Sequence, residues 1–289
     1  MKLKESFKLL ADLNKVKITI AVTFTTFAGY ALARNTVDWS VLGVLLGIFI
    51  LACGSAALNH YQDSDKDAIM ERTKNRPIPS GKISTSMVFI IAIAELVLGT
   101  VILYISSNML ATQLGLLAFI WYNGIYTPLK KRTAFAVFPG SIIGALPPMV
   151  GWVAGGGSLN DPRLILLAFF FFIWQVPHFW LLMLKYGKEY QKAGYPSITD
   201  KIGTFQIKMA TFVWVFATAV TAIMLTTSGL IYSVYFKILV VMASIWVVIV
   251  FFKLLKTGNK KFNPFHYFMK INYFVLVMIL TLSIDPIIH

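Results

Sequence analysis

Between residues 59 and 81 the chain reads Asn59-His-Tyr-Gln-Asp63-Ser-Asp-Lys-Asp67-Ala-Ile-Met-Glu71-Arg72-Thr-Lys-Asn-Arg76-Pro-Ile-Pro-Ser-Gly81. Asn59, Asp63, Asp67 and Glu71 recur every fourth residue. On a helix of 3.6 residues per turn they form one ladder that drifts about 40° per step. Carboxylates one turn apart present hard oxygens on a common face. Such donors suit Mg2+, which takes one or two carboxylates, keeps some waters and shares the phosphate oxygens of a substrate. Arg72 and Arg76 add planar guanidinium forks of the kind that grip phosphate. Asp65 falls off the ladder and has no assigned role. The competing reading is a solvated loop whose carboxylates pair only with Lys66, Arg72, Lys74 and Arg76. The regular spacing, followed by Arg-Pro-x-Pro-Ser-Gly, favours the metal-and-phosphate reading.

A second group lies in Trp121-Tyr-Asn-Gly-Ile-Tyr126-Thr-Pro-Leu-Lys130-Lys131-Arg132. Tyr126 and Lys130 are one helical turn apart. Without further context Tyr126 is an interfacial aromatic, and Lys130, Lys131 and Arg132 are topology anchors. His178, in Trp174-Gln-Val-Pro-His-Phe-Trp180, carries an imidazole, the commonest metal-ligating side chain. Glu95 lies deep in an apolar run; a carboxylate there is costly in hydrocarbon, so the choice is between a function and a bond to another helix.

The elements that must position these groups are set by composition. The chain has 289 residues, 57% hydrophobic and 13% charged, with a mean hydropathy of +0.73. Soluble domains are about 45–50% apolar and about 25% charged, so an ordinary soluble globule is excluded, as is a disordered chain. The reading is an all-α integral membrane protein, one membrane-embedded domain over residues 1–289. Apolar stretches near the 20 residues needed to cross about 30 Å of hydrocarbon fall at roughly 16–34, 40–58, 84–106, 109–125, 134–154, 163–184, 209–228, 231–252 and 267–284. This predicts a bundle of nine transmembrane helices, with Pro147-Pro148 expected to distort the fifth. Residues 1–17 are basic and amphipathic and do not resemble a cleavable signal peptide. The single cysteine, Cys53, allows no intrachain disulfide and says nothing of compartment.

With nine spans, 23 of the 26 Lys and Arg residues fall in the N-terminal segment and the loops after spans 2, 4, 6 and 8, against three (Arg34, Arg163, Lys237) on the other side. That asymmetry predicts a cytoplasmic N-terminus. It also accounts for most of the +14 net charge, leaving no independent support for nucleic-acid binding. The two longest loops on the basic side, about 59–83 and 185–208, are rich in other polar groups and are the expected seat of the chemistry.

Asn-x-x-x-Asp-x-x-x-Asp followed by Asn-Arg-Pro-Ile-Pro-Ser-Gly resembles the signature of the UbiA superfamily of intramembrane prenyltransferases. The resemblance implies that Asn59, Asp63 and Asp67 hold Mg2+ on the diphosphate of an isoprenoid donor, with Arg72, Arg76, Tyr126, Lys130 and Lys131 contacting the diphosphate. Gly-Ala-x-Pro-Pro-x-x-Gly-Trp at 144–152, Pro-His-Phe-Trp at 177–180 and Tyr190-x-x-Ala-Gly-Tyr-Pro196 resemble the protohaem IX farnesyltransferase (haem O synthase) branch. These matches cover roughly residues 59–200. They imply farnesyl diphosphate and haem B as substrates and His178 as a haem contact. The implied setting is the bacterial inner membrane, with the active site on the cytoplasmic side and haem A synthase or terminal oxidase assembly as company. In place of a second Asp-rich motif the chain has Glu189, implied as ligand to a second Mg2+. The alternatives are the same transfer to a quinone-precursor ring or other lipid acceptor and, in a different class, a transporter. The transporter is disfavoured because the carboxylates cluster at one interface instead of crossing the midplane.

Overall fold

The structure is a computed structural model that describes residues 3–256 and 262–289; Lys2, Lys260 and Lys261, counted above among the basic residues, lie outside the described residues. The described residues form helices without strands. An amphipathic helix α1 (Leu3–Leu13) precedes the bundle and buries Leu9 and Leu13, the latter against Ala57, Val88 and Ala92. A two-residue elbow, Asn14-Lys15, leads into α2 (Val16–Arg34). There follow α3 (Ser40–Ile69), α4 (Thr85–Ser106), α5 (Met109–Ile120), a π-helical segment (Trp121–Tyr126), α6 (Thr127–Leu129), α7 (Val137–Ala154), α8 (Pro162–Ile173), α9 (Gln175–Lys192), α10 (Thr204–Thr227), α11 (Val234–Lys256) and α12 (Pro264–Ile288). Successive helices pack side by side, and α12 returns against α2, which closes the bundle into a ring.

Among the described residues eight helical segments are long and apolar enough to cross a membrane. Six of them coincide with expected spans within about five residues, and a seventh, α3, overruns its expected end. The expected sixth span is a pair of abutting helices, α8 and α9, that meet at Trp174 and together run 31 residues from Pro162 to Lys192. The expected fourth span, 109–125, is not one of the eight. Its α-helical part is the 12 residues of α5, after which the coil widens into the π-helical segment. Pro128 supplies a cause: it has no N–H for the Gly124 carbonyl and its ring crowds that carbonyl. The Thr127 N–H bonds to the Tyr122 carbonyl instead. Pro147 and Pro148, by contrast, do not interrupt α7, which is continuous from Val137 to Ala154.

The packing is that of a protein in lipid. Large apolar side chains such as Ile90, Val97, Val101, Phe169, Phe216 and Ile245 point outward, which water would penalise and hydrocarbon does not. Inside, small residues let backbones touch. A Cβ at Gly29 or Gly151 would run into the backbone of Pro148 or Thr26, so α2 and α7 meet at their main chains. Gly47 and Gly99 do the same for α3 and α4, where a Cβ would lie 2.7 Å from Leu103 N and 2.5 Å from Leu51 N.

α3 is the element that matters most for chemistry. Its 30 residues span about 45 Å at 1.5 Å per residue, against about 30 Å of hydrocarbon. The excess carries Asn59, Asp63 and Asp67 past the apolar stretch while the helix continues. The expected loops at 59–83 and 185–208 are therefore partly helical, since α3 runs on to Ile69 and α9 to Lys192. The ladder ends one step earlier than its spacing suggested: Met70 is extended (φ −85°, ψ 129°), and Glu71 leaves the ladder to pair with Lys74 in solvent at 2.6 Å.

Candidate active site

Five chain segments converge on the end of α3. Asp63, 4% exposed, is their centre. Its Oδ2 accepts hydrogen bonds from Asn59 Nδ2 at 2.8 Å and from Lys130 Nζ. Its Oδ1 accepts from the Tyr195 hydroxyl at 3.2 Å and lies 3.6 Å from Lys131 Nζ. Asp67, 2% exposed, receives Arg76 Nη1 on Oδ2 at 2.6 Å, and its carbonyl accepts from Thr73 Oγ1 at 2.9 Å. The turn at Met70 thus does a specific job: it brings the chain back so that Arg76 reaches the last carboxylate of the ladder. Asp65 is exposed, as its place off the ladder requires.

The π-helical segment aims the second group. Lys130 N–H bonds to the Tyr126 carbonyl at 2.9 Å, one turn back, and Lys130 Nζ lies 5.6 Å from the Tyr126 ring centroid. Thr127 Oγ1 accepts from Asn59 Nδ2 at 3.2 Å, while Lys131 Nζ donates to the Gln62 carbonyl at 2.5 Å. Asn123, buried in the π segment, locks onto α3 through the Ser55 carbonyl at 3.0 Å and Gln62 Oε1 at 3.2 Å. A π insertion shifts every later side chain around the helix axis, a recurrent feature of functional sites; here it turns Thr127, Lys130 and Lys131 together toward α3.

The other sequence candidates fall around this centre. Arg72 packs its guanidinium 5.0 Å from the Tyr186 ring centroid and approaches the Tyr190 hydroxyl at 3.4 Å. Glu189 Oε2 accepts the backbone N–H of Arg72 at 3.2 Å. Among the described residues no group of three His, Cys, Asp or Glu side chains converges as a metal cluster, so Glu189 does not join the two aspartates in this arrangement. His178 sits apart on α9 in an aromatic box, 5.0 Å from the Trp174 ring centroid and 4.6 Å from that of Phe268, with Nδ1 buried and unpartnered. Its neighbour Phe179 reaches the Tyr126 ring at 6.1 Å, which ties the box to the charged site.

Two contributors were not legible as site residues. Tyr195 follows Gly194, whose φ of +70° turns the chain inward; the only sequence signal was the Ala-Gly-Tyr-Pro string itself. Lys15 was counted as a topology anchor, yet its Nζ donates to Asn59 Oδ1 at 2.6 Å.

The electrostatics follow from crowding. Lys15, Arg76, Lys130 and Lys131 surround two carboxylates, so basic side chains outnumber acidic ones by two. Burial, with the Arg76 and Lys130 charges beside it, lowers Lys15 to about 7. Burial lowers Lys130 as well, against the opposing pull of Asp63. The Tyr195 phenol is pushed up by burial and by the Asp63 and Asp67 charges, so it stays a neutral donor. A basic-rimmed pair of buried carboxylates is suited to a polyanion held partly through a hard cation. The donors present, one amide oxygen and two carboxylates a turn apart on one helix, fit Mg2+ by chemistry.

The UbiA prenyltransferase family model matches residues 22–274. A protoheme IX farnesyltransferase of Geobacter sulfurreducens is 39% identical over 203 residues, 70% of this chain and 75% of that one. One of Flavobacterium psychrophilum is 31% identical over 287 residues, 96% of this chain and 94% of the relative. Among solved structures, one concerned with digeranylgeranylglyceryl phosphate synthase superposes with a TM-score of 0.80 at 20% identity, covering 99% of this chain and all of that one. A UbiA homolog from Archaeoglobus fulgidus bound to GPP and Mg2+ superposes with a TM-score of 0.70 at 15% identity, covering 97% and 100%. The chain belongs to the UbiA prenyltransferase family. It is a membrane-embedded enzyme of prenyl transfer, as its signature residues implied.

Proposed function

We propose that this enzyme transfers the farnesyl group of farnesyl diphosphate to a vinyl group of protohaem IX, with water completing a haem O product and pyrophosphate leaving. The observation that carries the donor half is the pair of buried carboxylates, Asp63 and Asp67, ringed by basic side chains at the end of α3. The acceptor half is supported by the names of relatives that align over most of the chain.

In this reading Asn59, Asp63 and Asp67 would hold Mg2+, which when bound supplies Lewis acidity to the diphosphate. Lys130, Lys131, Arg72 and Arg76 receive the negative charge that grows as the C1–O bond breaks and its electron pair leaves with pyrophosphate. Tyr126 and Phe179 offer the allylic cation an aromatic surface away from bulk water. The vinyl π electrons then form the new C–C bond; water adds to the resulting cation and gives up a proton. His178 contacts the haem from its aromatic box. Glu189, at the Arg72 amide, is the proposed ligand of a second Mg2+. The whole is set in nine spans with a cytoplasmic N-terminus, the site at the cytoplasmic face of a bacterial inner membrane, and haem A synthase or terminal oxidase assembly as the consumer of product.

The test is conversion of haem B to haem O by the purified enzyme in proteoliposomes with farnesyl diphosphate and Mg2+. Product that depends on all three supports the reading. Prenylation of ring acceptors with haem untouched would overturn the acceptor, and substrate transport without either reaction would overturn the enzyme.

A further inference from the structure

Glu95, the carboxylate inside the third span, has no part in the mechanism above. On α4 its Oε1 accepts a 2.6 Å hydrogen bond from Asn14 Nδ2 in the α1–α2 elbow. The next residue, Lys15, holds a left-handed backbone (φ 46°, ψ 48°). For a long side chain that conformation is costly and persists only where the surroundings over-determine it. Here they do: Leu13 is fully buried, Asn14 is fastened to α4, and Lys15 Nζ is fastened to Asn59 on α3. The result is one path of contacts, Glu95 to Asn14 to Lys15 to Asn59 to Asp63, that runs from a lipid-spanning helix into the charged site.

We infer that Glu95 is a positioning residue for the reaction: through Asn14 it locks the α1–α2 elbow so that the Lys15 ammonium stands beside Asn59 and meets the diphosphate of the prenyl donor. This rests on the proposed use of a prenyl diphosphate. An elbow that served only to dock α1 would need neither an inward-turned lysine nor a left-handed residue to aim it. Glu95 Oε2 and Asn14 Oδ1 are buried without other partners. An amide at position 95 therefore keeps the acceptor and can also donate to Asn14 Oδ1, whereas alanine removes the latch.

The experiment measures binding of farnesyl thiodiphosphate, with Mg2+, by calorimetry on the full-length detergent-solubilised protein, alongside KM and kcat. Lys15→Met is expected to weaken binding about tenfold, the loss of roughly one charge-assisted hydrogen bond. Glu95→Ala and Asn14→Ala should weaken it by a similar factor, while Glu95→Gln stays close to the parent. Glu95→Ala should add nothing in a Lys15→Met background, because the two act along one path. Unchanged binding in Glu95→Ala, or losses that multiply with Lys15→Met, would make Glu95 a packing residue and overturn the inference. If Glu95→Ala does not fold, Asn14→Ala with and without Lys15→Met decides by the same criteria. Failure of the parent itself to bind the thiodiphosphate would overturn the functional reading; binding by the parent with no change in any variant overturns only the role of Glu95.

Discussion

Replacing Asp63 by Asn separates the catalytic role proposed for this carboxylate from its structural one. The substitution keeps size and shape but removes the charge that Lys130 contacts directly and Lys131 approaches at 3.6 Å. The Lys130 side chain is 18% exposed and that of Asp63 5%. Orphaning one member of a buried pair costs about 3–5 kcal/mol, and the remaining exposure of Lys130 favours the low end, about 3 kcal/mol. The metal-free protein should therefore melt several degrees lower. Lys130→Met on top of Asp63→Asn removes the stranded ammonium and should restore most of that stability. Activity should behave differently. A ligand lost from a Lewis-acid site is worth several kcal/mol at the transition state, so Asp63→Asn should reduce farnesyl transfer at least about 10³-fold, and the double variant should remain as inactive. The assays are thermal unfolding in detergent and haem O formation in proteoliposomes. More than about a tenth of parental activity in Asp63→Asn, or no recovery of stability in the double variant, would refute the placement of Asp63 in both roles.

Other consequences are more local. Glu189→Ala distinguishes a ligand of a second Mg2+, whose loss should cost about 100-fold or more, from a carboxylate that merely orders the Arg72 amide, whose loss should cost less than about tenfold; haem O formation reads the difference. Gly151→Ala would drive a methyl group into the Thr26 carbonyl where α2 and α7 meet, and a destabilisation of more than about 2 kcal/mol is expected in thermal unfolding. Asp285→Ala strips the acceptor from the Tyr232 and Ser233 amides, held at 2.6 and 2.9 Å at the start of α11; the loss should be about 2–3 kcal/mol, with KM and kcat unchanged because this end of α11 lies opposite the site. Lys15 loses its proton at about 7 in the folded protein against an ordinary 10.5. Between those values the unfolded chain binds a proton at Lys15 that the folded chain does not, so this group's contribution to stability rises with pH. The melting temperature of Mg2+-free protein should climb from pH 7 to 9.5, and Lys15→Met should flatten that climb.

What the sequence disclosed and what it hid divide along physical lines. Asp63 and Asp67 were legible because their relation is local: two residue types, one helical turn, one helix that outlasts the bilayer. Tyr126 and Lys130 were legible for the same reason, although the π segment that aims them was not, since it arises from Pro128 and from the fit of Asn123 against α3. Glu71 was misplaced on the ladder because spacing continues past Ile69 while the helix does not. The fourth span was read as a continuous apolar stretch because hydropathy does not register the change from α to π winding. Lys15 and Tyr195 were invisible as site residues because each enters from another element through a single left-handed turn, at Lys15 itself and at Gly194. Composition explains a basic residue before the first span as a topology anchor, and only the contact with Asn59 distinguishes it from one.

So cationic a site is compatible with the proposed Mg2+. Without substrate, four basic side chains face two carboxylates, and Lys130 and Arg76 occupy carboxylate oxygens directly. A divalent cation arriving alone would meet like charge and would have to displace those bonds. A diphosphate arriving with it would supply the negative charge that frees the lysines and arginine from Asp63 and Asp67. On the proposed reading metal and diphosphate would therefore each improve the site for the other, and that coupling would be reciprocal by linkage. On the proposed reading the basic residues are thus more than topology anchors: placed around two buried aspartates, they would make the site selective for the charge pattern of a metal-bound diphosphate over either ion by itself.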